Sequence, residues 1–77
     1  MANNPIFTRS LNKGEVAIRR NESDEAVWHN VTLQRTYRDE KNEVQNTTNF
    51  RMEDLPALAF LAIRAYHQLE LTEDEYQ

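Results

Sequence analysis

Cysteine is absent from this chain of 77 residues, which excludes disulfide staples, thiolate zinc sites and cysteine nucleophiles. Histidine occurs twice, at His29 and His67, on different predicted elements and with no pair of carboxylates at metal spacing. No metal or cofactor site is therefore expected. Ser10, Ser23 and the threonines fall in strands or turns with no histidine or lysine recognisably paired to them, so no catalytic residues are expected and the chain reads as non-enzymatic. The longest apolar run, Leu55 to Tyr66, is about twelve residues, where roughly twenty are needed to span a bilayer. The first ten residues lack the charged-then-apolar pattern of a signal peptide. Those absences point to a cytoplasmic protein with no membrane partner and no small-molecule substrate. No basic run exists either, and the net charge of −4 argues, taken alone, against a nucleic-acid binder.

The charge is unevenly placed. Residues 1–51 hold eight Lys/Arg against seven Asp/Glu, whereas residues 52–77 hold Arg64 alone against Glu53, Asp54, Glu70, Glu73, Asp74 and Glu75. The stretch Leu55 to Tyr66, LPALAFLAIRAY, is apolar at ten of twelve positions around the whole helix circumference. Such a helix is normally buried on all sides, and a chain this short has one sheet's worth of other material to cover it. A second copy of the chain is the natural cover. Oligomerisation also suits a domain near the lower size limit for a self-sufficient core.

Period-two segments come first and one helical segment last. Ile6 to Leu11 reads as a strand, followed by an Asn12-Lys13-Gly14 turn that holds the only glycine, and by a strand from Glu15 to Arg20. After the polar turn 21–25 comes a long strand, Ala26 to Arg38. Val27, Val31, Leu33 and Tyr37 share its helix-facing side, while Trp28, Asn30, Thr32, Gln34 and Thr36 share the other. Asp39-Glu40-Lys41-Asn42 reads as a hairpin turn with Asn42 at positive φ, and Glu43 to Phe50 as a polar fourth strand. Tyr37 and Phe50 are expected in the core. Glu53 and Asp54 favour the positive end of the helix dipole, and Pro56 is tolerated in the first turn.

The resulting fold class is α+β, a four-stranded antiparallel meander followed by one C-terminal helix, β-β-β-β-α. It forms a single domain over residues 1–71, with a disordered acidic tail at 72–77. Leu55, Leu58, Ala62, Tyr66 and Leu69 form the expected sheet-facing stripe. Phe60, Leu61 and Ile63 are left over and form the expected dimer interface, because soluble monomers rarely expose such a patch.

The segment Val31-Thr32-Leu33-Gln34-Arg35-Thr36-Tyr37-Arg38-Asp39, then Thr47-Thr48-Asn49-Phe50, then Asp54-Leu55-Pro56 opening an Ala/Leu helix, resembles a family of small, largely uncharacterised bacterial proteins. That family carries N-V-T-L-x-R-S-Y-K-D, W-x-x-T-x-S-F and D-L-P-x-L motifs. The likeness covers roughly residues 14–68, departs at Val44 and Arg19 where aromatics are expected, and brings no activity with it. The β4α order is also similar to the positive-cofactor-four coactivators and the Whirly proteins, which pair meanders through their helices and bind single-stranded nucleic acid on the sheets. That likeness implies a fold and a kind of partner, not a function.

Single-strand binding needs cations along the backbone path and flat side chains for bases to stack on. Arg19, Trp28 and Arg38 are the candidate residues, two arginines expected to flank an exposed indole on the sheet face opposite the helix. The leading expectation is a homodimer that binds single-stranded nucleic acid there. The alternative is a protein-interaction or assembly module acting through the helix face or a sheet edge, with no nucleic acid.

Overall fold

A computed structural model describes residues 4–76, with side chains through Leu71. Strands β1 (Pro5–Leu11), β2 (Gly14–Glu22), β3 (Val27–Arg38) and β4 (Val44–Thr47) pair antiparallel in chain order. A short 3-10 turn, Met52–Asp54, then leads into helix α1, Leu55–Tyr76. This is the four-stranded meander with one C-terminal helix that the pattern of the sequence implies. The acidic tail expected at 72–77 lies outside the residues described in full.

The turns follow local chemistry. Asn12 and Lys13 form a two-residue loop between Leu11 and Gly14, and Asn12 takes the positive φ, 56°, as the first central residue of a type II′ turn does. Gly14 is kept for a different reason. A Cβ there would lie 3.2 Å from Leu61 Cδ1 and 3.8 Å from Leu58 Cδ2, so the missing side chain lets the helix approach β2. Between β2 and β3, Ser23 Oγ accepts from the amides of Glu25 and Ala26 at 3.3 Å each, and Ser23 N donates to the Ala26 carbonyl. The β3–β4 loop is organised by Asp39, whose Oδ1 accepts from the amides of Lys41 (2.9 Å) and Glu43 (3.0 Å). Asn42 takes a φ of 64° there, as its small polar side chain allows.

Register decides the core. Val16 lies opposite Leu33 and Arg9, and Ile18 opposite Val31 and Phe7. Val16 and Ile18 are fully buried with Leu61 and Ala65 of α1, and Phe7, Leu33 and Leu69 pack around them. The helix lies over β2 and β1 and touches β3 only lightly. In β1 the register slips between Pro5 and Phe7, so Ile6 is the extra residue of a bulge at this edge strand. The Cα envelope, 47 × 29 × 14 Å, is a slab one sheet and one helix thick.

Two sequence expectations are corrected. The sheet-facing stripe of α1 is Leu58, Leu61, Ala65 and Leu69 with Ala57, and not Leu55, Leu58, Ala62, Tyr66 and Leu69. Tyr66 is 61% exposed, whereas Leu61 is 0% exposed at the centre of the core. In a run that is apolar on every side, hydrophobic period cannot choose the inward face. Side-chain fit can, because the chosen face sets Leu61 and Leu58 over the gap left by Gly14 and buries the small Ala57 and Ala65 beside them. Secondly, Tyr37 and Val31 share the helix-facing side with Leu33 as expected but remain exposed, because α1 does not reach across β3.

Candidate nucleic-acid interface

The sheet face opposite α1 has no second layer among the described residues. Cross-strand pairing places its residues: Ser10 beside Glu15, Thr8 beside Ala17 and Thr32, Arg19 beside Asn30, Asn21 beside Trp28, Thr36 beside Asn46 and Arg38 beside Val44. Ala17 is buried between its larger neighbours, so the face has a low central floor flanked by hydroxyl and amide side chains. Glu15 is the one acid at a strand position of this face, and Gln34 Nε2 donates to its Oε1 at 3.1 Å. With Arg19 and Arg38 against Glu15 at its strand positions, the face is polar and slightly cationic, unlike the acidic balance of the whole chain.

Of the three candidate residues, the structure brings two together. Trp28 is 46% exposed on this face. Its cross-strand partner is Asn21, and Arg19 lies two residues from Asn21 on the same side, a diagonal spacing of about 7–8 Å that long side chains cover. Arg38 lies on the same face but ten residues along β3 from Trp28, roughly 33 Å at the rise of a strand. It does not flank the indole as expected. Its Nη1 donates to the Asn42 carbonyl at 3.0 Å, so it marks the far end of the face beside the β3–β4 loop. Arginines 19 and 38 thus bracket the length of the sheet, with Trp28 beside the first.

On the other side of the molecule, the three residues expected at a dimer interface separate. Leu61 belongs to the core and is unavailable to a partner. Phe60 and Ile63 are 40% and 57% exposed, and the Arg9 guanidinium stands 5.5 Å from the centre of the Phe60 ring. Leu55 and Tyr66, assigned to the sheet from their spacing, are exposed instead and extend the apolar strip of α1.

Asp39 is the described group whose acidity is clearly perturbed. The Glu43 amide is the largest influence, followed in the same direction by the Gln45 amide and the Lys41 backbone, and together these donors hold the carboxyl below its ordinary value of 3.8. Its role is to close the loop that positions Arg38. The helix start is held by Asp54, whose Oδ2 accepts from the Arg51 amide (2.8 Å) and pairs with Arg35 Nε (3.2 Å), while Arg35 Nε also donates to the Asn49 carbonyl at 2.8 Å. Glu53 and Asp54 thus stand at the helix start as their sequence position implies. Arg35 is structural: it ties β3 to the segment entering α1.

Among the described residues, no helix is long and apolar enough to cross a membrane. No protein-family model matches the chain, and no curated protein or solved structure matches it significantly.

Proposed function

We propose that this chain is a non-enzymatic, cytoplasmic, homodimeric domain that binds single-stranded nucleic acid on its open sheet face. The observation that carries the reading is the half-exposed Trp28 on an uncovered, nearly acid-free sheet face, with Arg19 diagonally across from it. An indole offers a stacking platform indifferent to base identity, and an arginine beside it meets the phosphate of the same nucleotide. Arg38, at the other end of the face, gives the strand a second phosphate contact and a direction along β3. Dimerisation uses the exposed strip of α1, with Phe60 and Ile63 joined by Leu55 and Tyr66.

The test is fluorescence of Trp28, the one tryptophan of the chain, titrated with a single-stranded oligonucleotide at two salt concentrations. Stacking quenches the indole, affinity falls as salt rises because counterions are released, and duplex DNA competes poorly. Against a net charge of −4, binding is expected in the micromolar range. Trp28→Ala should cost about 1–3 kcal/mol of binding free energy. Absence of quenching and of any mobility change at about 100 μM oligonucleotide in low salt, where phosphate contacts are strongest, would reject the proposal.

A specific observation favours the second reading, a protein-interaction module. Leu55, Ile63 and Tyr66 stand exposed along α1, an apolar strip of the kind that marks association. If nucleic acid does not bind, that surface becomes the functional one.

A further inference from the structure

At the end of the sheet away from Trp28, β3 outruns β2. Their last pair is Gly14 with Arg35, and beyond it the Thr36 amide donates to the Lys13 carbonyl at 2.9 Å. Tyr37 and Arg38 then border a cleft of about 670 Å³, closed on its far side by the segment from Arg51 to Asp54. That volume falls within the range of sites for small molecules, roughly 300–1,000 Å³. Arg35 fixes the cleft's shape, because its bonds to Asn49 and Asp54 hold the far wall against β3.

Charge in the cleft runs against that of the chain. Four cations line it, Lys13, Arg35, Arg38 and Arg51, against the two carboxylates of Glu53 and Asp54. Arg35 and Asp54 satisfy each other. Lys13 and Arg51 form no ion pair among the described residues, and Arg38 spends one donor on a neutral carbonyl. Three unpaired cations from three separate segments therefore line the cleft with one unpaired carboxylate, a local positive excess in an acidic chain. Tyr37 and Val44 add an aromatic and an aliphatic wall to the same cleft. A phosphate meets the cations through charge-assisted hydrogen bonds, and a flat organic body attached to it meets Tyr37 and Val44.

We infer that this cleft is a binding site for a nucleoside phosphate, either a free mononucleotide or the phosphorylated end of a strand. Lys13, Arg38 and Arg51 hold the phosphate, while Tyr37 and Val44 contact the nucleoside. The inference does not depend on stacking at Trp28; the two surfaces share only the Thr36, Arg38 and Val44 end of the sheet, far from the indole.

Backbone amide shifts of isotope-labelled protein, followed during addition of adenosine monophosphate, adenosine or inorganic phosphate at low salt, test the site. Adenosine monophosphate should move the amides of Lys13, Arg38 and Arg51, inorganic phosphate the same amides more weakly, and adenosine none of them. In the Lys13→Ala/Arg51→Ala double variant, whose replaced side chains are exposed and make no hydrogen bond or ion pair within the described fold, affinity should drop about tenfold or more, as loss of even one charge-assisted bond requires. Melting should be unchanged in that variant, and so should Trp28 quenching by an unphosphorylated strand. An end-phosphorylated strand that binds wild type more tightly than its unphosphorylated twin, with the advantage lost in the double variant, identifies the strand end as the source. Equal binding of the two strands, alongside a saturable response to the mononucleotide, identifies the free nucleotide. The inference is overturned if about 10 mM adenosine monophosphate, enough to detect even millimolar affinity, leaves those amides unmoved, if adenosine moves them equally, or if the double variant responds like wild type. Those outcomes are independent of Trp28 quenching, which reports on the sheet face alone.

Discussion

Leu61→Ala separates the two possible roles of the most apolar helix in the chain. Leu61 is fully buried among Val16, Ile18 and Ala65, so truncation removes its transfer free energy and leaves a cavity whose walls are held by the sheet. Buried leucine-to-alanine changes cost about 2–5 kcal/mol. A domain of 77 residues has a total stability of about 4–12 kcal/mol at 0.05–0.15 kcal/mol per residue, so the variant would lose a large share of it. At about 4–8 °C per kcal/mol for a domain this small, the midpoint should fall by at least about 8 °C. Thermal unfolding followed by circular dichroism at two protein concentrations is the assay, with Ile63→Ala as the control. Ile63 is exposed in the single chain, so any loss it causes should depend on concentration, through dissociation of the dimer. The Leu61 loss should persist at every concentration. If Leu61→Ala melts within about 0.5 kcal/mol of wild type, the range of an ordinary surface substitution, the helix is rotated from the orientation described and the core is misassigned.

Sedimentation should report a mass near twice 9.1 kDa for the wild type, and Ile63→Asp should return it to the monomer, since an unpaired charge in an apolar seam costs several kcal/mol. A wild type that stays monomeric at high micromolar concentration would contradict the proposed dimer. Gly14→Ala should destabilise by roughly 1 kcal/mol, because overpacking against the Leu61 and Leu58 methyls outweighs the entropy gained by removing a glycine; a stabilised variant in denaturant melts would show that α1 sits farther from β2. Arg35→Lys should fail to restore the roughly 1–3 kcal/mol lost in Arg35→Ala, since one ammonium does not reproduce guanidinium geometry toward Asn49 and Asp54, and full rescue in the same melts would contradict it. The Asp39 carboxyl should titrate below 3.8 when its side-chain carbon shift is followed by NMR. Because the folded form holds the proton less tightly than the unfolded chain, its contribution to stability is complete above that value and is lost as pH falls through the lower folded midpoint; a midpoint at or above 3.8 would refute the loop geometry.

The sequence by itself determined the element order, the strand faces and the turn residues. Alternation in Val27 to Arg38 is a local property of the chain, so Trp28, Thr32 and Gln34 were assigned correctly to the face opposite Leu33. Asn42 at positive φ and the acidic helix start also depend on a few neighbouring residues, and both are found. Three features rest on contacts between distant segments, and the tertiary structure alone decided them. Which face of an all-apolar helix turns inward depended on the fit of Leu58 and Leu61 over Gly14, a residue more than forty positions away. How far the helix reaches across the sheet left Val31 and Tyr37 exposed despite their apolar character. The cleft of Lys13, Arg38 and Arg51 exists only because β3 outruns β2 and Arg35 anchors the entry to α1. Periodicity records which residues share a side of one element, whereas packing between elements depends on side-chain volumes and register that no single segment contains.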